Sequence, residues 1–307
     1  MRAIFRKELA DYFTSIRIFV LVILTLLISA LALYQAYKGI SSSSDTEFVF
    51  LNLFTSQLSG QSLASWLIGY PNFLAMFLIP IMGVALGFDA INRERSSGTL
   101  SRLISQPLYR DSIINAKFLS GIFILAMVVG ASILLIAGYG IRMIGVPPGA
   151  EEIIRLFLFW IFTVVYGAFW MGLAMLFSTL FRNISSSLLS SLGIWLVFGV
   201  FLMFIGNIFS SLSANQYLTL SRVSPSYLFL QAVQVLLFPY ASNLRLTALY
   251  LDASAGGNAG NYLMYTPLSL GQSLTVAWPQ FITIIALTVI CFAVSYVLFM
   301  RQEVRST

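Results

Sequence analysis

The stretch FLSGIFILAMVVGASILLIAGYGI, from Phe118 to Ile141, contains no charged side chain. A helix of about 20 apolar residues spans the hydrocarbon core of a bilayer and satisfies every backbone polar group within itself. The sequence therefore predicts a transmembrane helix here. Five further stretches have the same character, and they cover approximately residues 18–36, 66–88, 156–180, 184–209 and 276–300.

Composition supports this interpretation along the whole chain. Only 9% of the 307 residues are charged and 59% are hydrophobic, whereas a soluble domain carries about 25% charged residues. We therefore predict an all-α polytopic membrane protein, with six transmembrane helices in a single domain over residues 1–307. The break Phe181-Arg182-Asn183 separates helices four and five, and Pro71 and Pro80 are candidate kink sites in helix two.

Several kinds of chemistry are excluded by residues that the chain lacks. It has no histidine and one cysteine, Cys291, so zinc sites of the usual type, Ser-His triads and disulfides are not expected. No Asp or Glu falls within the six apolar stretches, which argues against proton or sodium coupling, although coupling through backbone carbonyls remains open. None of the three lysines fits a phosphate-binding loop. Energy for uphill transport would have to come from a partner.

Basic residues predict the orientation, because lysine and arginine in short loops stay on the cytoplasmic side. With an internal N-terminus, 12 of the 17 basic residues are cytoplasmic, so both termini are predicted inside a multi-pass cell-membrane protein. This scattered charge is a topology signal and does not indicate nucleic-acid binding. The inner set is Arg2, Arg6, Lys7, Arg17, Arg93, Arg95, Arg102, Arg110, Lys117, Arg182, Arg301 and Arg305, and the outer set is Lys38, Arg142, Arg155, Arg222 and Arg245.

Residues 1–15 are predicted to form an amphipathic helix at the membrane interface, where basic side chains bind anionic lipid. A cleaved signal peptide is the alternative for the first apolar stretch, but its acidic residues and the even helix count favour a retained helix. On the outer side, residues 210–275 lie between helices five and six. Their apolar runs, such as Tyr227 to Pro239, are too short to span, so short helices lying on or dipping into the outer face are expected.

The most informative segment is the charged cytoplasmic loop at residues 96–107, between helices two and three. Gly98 would end the preceding helix, Thr99 could cap a short lateral helix, and Pro107 would stop it. Leu100, Leu103 and Ile104 share one face of that helix. From the pattern alone, an ordinary cytoplasmic loop with an interfacial helix is an equal alternative.

This loop resembles the one between the second and third helices of ATP-binding-cassette (ABC) transporter permeases of the type-2 exporter class. The likeness extends to the six helices, the amphipathic N-terminus with Arg6-Lys7-Glu8, and the stretches at 224–229 and 299–303. The residues that match the loop pattern are Asp89, Glu94, Gly98, Thr99, Leu100, Ile104, Pro107, Arg110 and Lys117.

The resemblance implies a permease subunit that is not itself an enzyme and holds no cofactor. Two such subunits, identical or different, would bind separate cytoplasmic ATPase subunits that hold ATP and magnesium. The apolar face of the loop helix would dock into the ATPase, and charged residues would form pairs at the rim. An ATP-independent channel or secondary carrier, and a membrane scaffold without transport, are the alternatives. The predicted coupling site is Asp89, Arg93, Glu94, Arg95, Gly98, Thr99, Leu100, Arg102, Leu103, Ile104, Pro107 and Arg110.

Overall fold

A computed structural model describes residues 2–40, 49–55, 70–96, 110–145, 147–201, 222–237 and 268–301. Within these ranges the backbone is almost entirely helical and contains no strand. Two π-helical turns occur: Leu74–Leu78 joins α4 to α5, and Trp195–Phe201 continues α9. The α-helices are α1 (Arg2–Thr14), α2 (Ile16–Ile40), α3 (Val49–Thr55), α4 (Tyr70–Phe73), α5 (Ile79–Gly87), α6 (Asn92–Ser96), α7 (Arg110–Ile144), α8 (Ala150–Leu180), α9 (Ile184–Ile194), α10 (Pro225–Leu237) and α11 (Leu270–Arg301).

In the described part of the chain, five helical segments are long and apolar enough to cross a membrane. We call α2 span one, α4 to α5 span two, α7 span three, α8 span four and α11 span six. The predicted fifth helix is present as the shorter apolar helix Ile184–Gly199, and its predicted end at Phe209 lies outside the described residues. The predicted all-α polytopic fold is confirmed.

Spans three and four begin earlier than hydropathy predicts, because polar residues extend both helices past the apolar stretch. Span three starts at Arg110, where Asp111 Oδ1 accepts a hydrogen bond from the Ser112 N–H at 2.8 Å. Span four starts at Ala150, and Glu152 Oε2 accepts the Gly149 N–H at 2.7 Å. Carboxylates in the first turn favour a helix start by satisfying free N–H groups.

Span four lies at the centre of the bundle and packs against spans two, three and six and against α10. Phe162 of span four stacks on Phe281 of span six, with ring centroids 3.9 Å apart, and on Phe229 of α10 at 5.2 Å. Helix α10 is largely buried and packs against spans four and six.

Two glycines allow spans two and four to approach closely. A Cβ atom at Gly83 would lie 2.7 Å from the Trp170 Cβ, and one at Gly87 would lie 2.5 Å from the Met171 carbonyl oxygen. Larger residues would force the helices apart. The small-residue motif from Gly83 to Gly87 therefore serves helix packing within the chain.

At the predicted outer end of span four, the fully buried Arg155 connects three helices. Its guanidinium donates to the carbonyls of Leu236 in α10, at 2.9 Å, and Leu268 before span six, at 2.7 Å. It also donates to Ser273 Oγ at 3.0 Å and forms an ion pair with Glu151 at 2.7 Å. Because each of these partners is hydrogen-bonded to one buried cation, we call this set the outer clamp.

Candidate functional site

The N-terminal helix α1 packs against the beginning of span three. Ile4 forms a small buried cluster with Ile113 and Ala116, and Phe5 contacts Phe123 edge to face with ring centroids 6.3 Å apart. The basic residues Arg2 and Arg6 remain exposed on the other side. Helix α1 is thus attached to the bundle on one face and presents positive charge on the other.

A buried group of charged residues connects α1, α6 and span three. Lys117 Nζ lies 3.0 Å from Glu8 Oε1 and 2.9 Å from Glu94 Oε1, and Lys117 is only 4% exposed. Lys7 Nζ approaches the same two carboxylates at 3.7 and 3.9 Å. We call Lys7, Glu8, Glu94 and Lys117 the inner charge cluster. Lys117 is the buried cation and Lys7 is half exposed, and together they balance the two carboxylates, which allows Glu8, Glu94 and Lys117 to be buried.

The position of Glu94 relates this cluster to the predicted coupling loop. Glu94 lies in α6, immediately before residues 97–109, which lie outside the described residues. Glu94 joins α6 to Lys117 of span three and, through it, to Glu8 of α1. The cluster therefore connects the helix before the predicted coupling loop to two other helices.

A second link joins the beginning of span one to the end of span two. Arg17 Nη2 pairs with Asp89 Oδ2 at 2.9 Å, and the Arg17 guanidinium lies over the Phe88 ring at 5.5 Å. Nearby, the Tyr12 hydroxyl donates to the Leu86 carbonyl at 3.3 Å. Burial, together with the nearby negative charges of Glu8 and Asp89, raises the pKa of Tyr12 well above its ordinary value. Tyr12 thus remains a neutral hydrogen-bond donor.

The turn between span two and α6 is fixed from the other side by span four and helix five. Ser178 Oγ accepts the N–H groups of Ile91 and Asn92, at 3.1 and 3.2 Å. Ser187 Oγ donates to the Phe88 carbonyl at 2.8 Å. The end of span two next to α6 is therefore held by polar contacts from α1, span one, span four and helix five.

The structure places four of the predicted coupling residues with their side chains. Asp89 and Glu94 make the ion pairs described above, Arg93 is exposed, and Arg95 is half-buried. Arg110 is the first residue of span three. The remaining predicted residues lie outside the described residues, and they are Gly98, Thr99, Leu100, Arg102, Leu103, Ile104 and Pro107.

A cavity of about 330 Å³ opens between α1, span one and the end of span two. Four basic and four acidic side chains line it, so it carries no net charge to attract ions of one sign. The charged residues around it are Lys7, Arg17, Arg93, Lys117, Glu8, Asp11, Asp89 and Glu94.

Sequence reasoning missed the partners of the predicted residues. The sequence identifies Lys117 only as a cytoplasmic basic residue and a match to the loop pattern, and Glu8 only as part of the amphipathic N-terminal helix. Their contact joins residues far apart in the chain, and no helical spacing predicts which face of one helix meets another. A lysine directly before an apolar span is the one local signal that could have suggested a buried pair.

Comparison with known proteins identifies the class of protein that this helical bundle represents. The family model for the ABC-2 family transporter protein matches residues 2–304, nearly the whole chain. The chain therefore belongs to the ABC-2 family of transporter proteins, as the loop pattern suggested, and it is a multi-pass ABC transporter permease.

Two curated relatives carry the same description, "probable ABC transporter permease protein NosY". The protein of Stutzerimonas stutzeri is 27% identical over 304 residues, which is 97% of this chain and 96% of that protein. The protein of Pseudomonas aeruginosa is 28% identical over 196 residues, which is 63% of this chain and 64% of that protein.

Proposed function

We propose that the chain is the membrane subunit of an ATP-driven ABC exporter. It couples ATP hydrolysis by a separate cytoplasmic ATPase, which holds ATP and magnesium, to movement of a substrate across or out of the cell membrane. The inner charge cluster is the observation that carries this proposal. A loop that receives force from a partner needs a stiff connection to the spans, and Glu94 and Lys117 offer one directly behind the loop.

The stiffness of this connection has a physical cause. Separating Lys117 from its carboxylates would leave an unpaired charge in a buried site, which costs about 3–5 kcal/mol in comparable pairs. Displacement of α6 is therefore more favourable when span three and α1 follow it. Docking of the residue 96–107 loop onto the ATPase, with Leu100, Leu103 and Ile104 against the partner, supplies the displacement.

The remaining assignments follow from the same mechanism. Both termini are placed in the cytoplasm, so that Arg2 and Arg6 of α1 face the anionic inner leaflet of the cell membrane. A second permease subunit, identical or different, completes the pathway, and each permease subunit engages one ATPase subunit.

Co-expression with a candidate ABC ATPase from the same organism tests the proposal. The full-length permease is expected to retain the ATPase during purification and to stimulate ATP hydrolysis. Glu94→Gln or Leu103→Ala should leave insertion unchanged but abolish most of that stimulation. Asp11→Asn is the matched control, because it also removes a carboxylate from the cavity lining. The Asp11 side chain is 60% exposed.

Two results would count against the proposal. A purified chain that retains no ATPase and transports alone would be a channel or secondary carrier. Equal stimulation by the wild type and both loop-side variants would show that force does not enter through this route.

A further inference from the structure

Span two is interrupted in the middle of its apolar stretch. Between Leu74 and Leu78 the helix is π-helical, and the Ile79 N–H donates to the Leu74 carbonyl, five residues back. Pro80 follows directly and has no N–H to donate. That missing donor would have served the Met76 carbonyl in an α-helix or the Ala75 carbonyl in a π-helix.

Both carbonyl groups belong to fully buried residues, where an unsatisfied backbone group is costly. Side chains from two other helices replace the missing donor. The Tyr166 hydroxyl of span four donates to the Ala75 carbonyl at 2.7 Å, and Trp195 Nε1 of helix five donates to the Met76 carbonyl at 2.8 Å. Since the Tyr166 proton is used in this way, Ser226 Oγ donates to the Tyr166 oxygen, 2.7 Å away.

The two parts of span two are attached to their neighbours in different ways. On the outer side of the break, the Tyr70 hydroxyl is hydrogen-bonded to Ser132 Oγ of span three at 2.7 Å, and the Tyr70 ring makes an edge contact with Phe159 of span four, with centroids 6.4 Å apart. Inside the break, Gly83 and Gly87 pack directly on the backbone of span four. A relative movement of spans three and four would therefore be taken up at the break, where the helical hydrogen-bond ladder is already incomplete.

We propose that residues Leu74–Pro80 form the hinge of span two, and that Tyr166 and Trp195 are positioning residues that hold this hinge in the conformation described. The proposal rests on the proposed function, in which span two is moved from its cytoplasmic end. Bending at this hinge breaks no additional backbone hydrogen bond. The hydrogen bonds that oppose it are those from Tyr166 and Trp195. Each of those bonds, when lost, should shift the hinge equilibrium roughly fivefold.

Distances between spin labels test the hinge in the permease–ATPase complex, with Cys291 replaced by alanine. One pair, at positions 73 and 154, reports on the outer part of span two against span four. The other pair, at positions 85 and 177, reports on the inner part. Trapping the ATP-bound state should change the outer distance and leave the inner distance unchanged.

Variants then test the two positioning residues. Without nucleotide, Tyr166→Phe and Trp195→Phe should each raise the population of a second, bent-hinge outer distance roughly fivefold over wild type. Trp160→Phe is the matched control, because Trp160 Nε1 also donates to a carbonyl, that of Ala126 at 2.9 Å, but within an uninterrupted helix. Adding Pro80→Ala to Tyr166→Phe restores a backbone N–H donor at position 80. The population of the bent-hinge outer distance should then return toward that of the wild type.

Three results would overturn the proposal. The first is an outer distance that is the same in both nucleotide states. The second is a population shift in Trp160→Phe equal to that in Tyr166→Phe. The third is a Pro80→Ala/Tyr166→Phe double variant whose population shift equals that of Tyr166→Phe alone. The variant comparison uses the chain without nucleotide, so it remains decisive even if no ATPase binds. A failure of the proposed function is thereby distinguished from a failure of the hinge.

Discussion

Removal of Lys117 is the perturbation for which the structure allows the most detailed expectation. The carboxylate oxygens of Glu8 and Glu94 each lie within 3.0 Å of its Nζ, so they are at most about 6 Å from each other. In Lys117→Met these two charges would face each other across an apolar side chain. Their repulsion is about 3 kcal/mol at an effective dielectric constant of 20.

Lys7 Nζ lies 3.7 and 3.9 Å from the two carboxylates and offsets part of this repulsion, so we expect Lys117→Met to lower the free energy of unfolding by about 3–5 kcal/mol, the cost of breaking a buried ion pair. Glu94→Gln should cost less, about 1.5–3 kcal/mol, because Lys117 keeps Glu8 as a partner. The Lys117→Met/Glu94→Gln double variant removes the repulsion between Glu8 and Glu94 as well as the Lys117–Glu94 ion pair. Its cost should therefore be smaller than the sum of the single costs by at least about 1 kcal/mol.

Denaturant titration of the purified chain in detergent, followed by circular dichroism, measures these differences. Asp11→Asn serves as the control and should change the free energy of unfolding by no more than about 0.5 kcal/mol, because its side chain is largely exposed. If the costs of Lys117→Met and Glu94→Gln add to within about 0.5 kcal/mol, the two side chains do not interact, and the inner charge cluster cannot transmit force as described.

Two further substitutions test the packing around span four. Arg155→Met removes the outer clamp and leaves buried carbonyls unpaired, so it should lower the free energy of unfolding by about 3–5 kcal/mol in the same titration. Arg142→Met, at an exposed position, is the control and should have little effect. Gly87→Ala places a Cβ atom 2.5 Å from a span-four carbonyl and should lower the midpoint of thermal unfolding at a cost of about 1–3 kcal/mol, while Gly138→Ala, with no atom within 4 Å, should not lower it.

The sequence predicted the spans well because a bilayer imposes a strict requirement on each helix separately. The run from Phe118 to Ile141 must be helical in lipid whatever its neighbours are. The break at Phe181-Arg182-Asn183 is an equally local signal, and it is present. Helix ends were predicted less accurately, since polar first turns extend beyond the apolar stretch.

Contacts between distant helices could not be predicted in the same way. The partners of Glu94 depend on which faces of α1 and span three meet, and a single sequence contains no such information. The interruption at Pro80 was predicted as a candidate kink, but the π-helical turn and its donors Tyr166 and Trp195 were not. Pro71 causes no break, because it lies in the first turn of α4, where its missing N–H is not needed.

In the proposed mechanism, the inner charge cluster and the hinge at Leu74–Pro80 serve the same movement. A lever must be stiff where force enters and must bend where its attachments diverge. The inner part of span two is stiff because glycines seat it on span four and because the turn after it is hydrogen-bonded to Ser178. Its outer part follows span three through Tyr70. In the proposed mechanism the inner charge cluster also transmits a displacement of the loop to span three, and any resulting difference in movement between spans three and four would concentrate strain at Pro80.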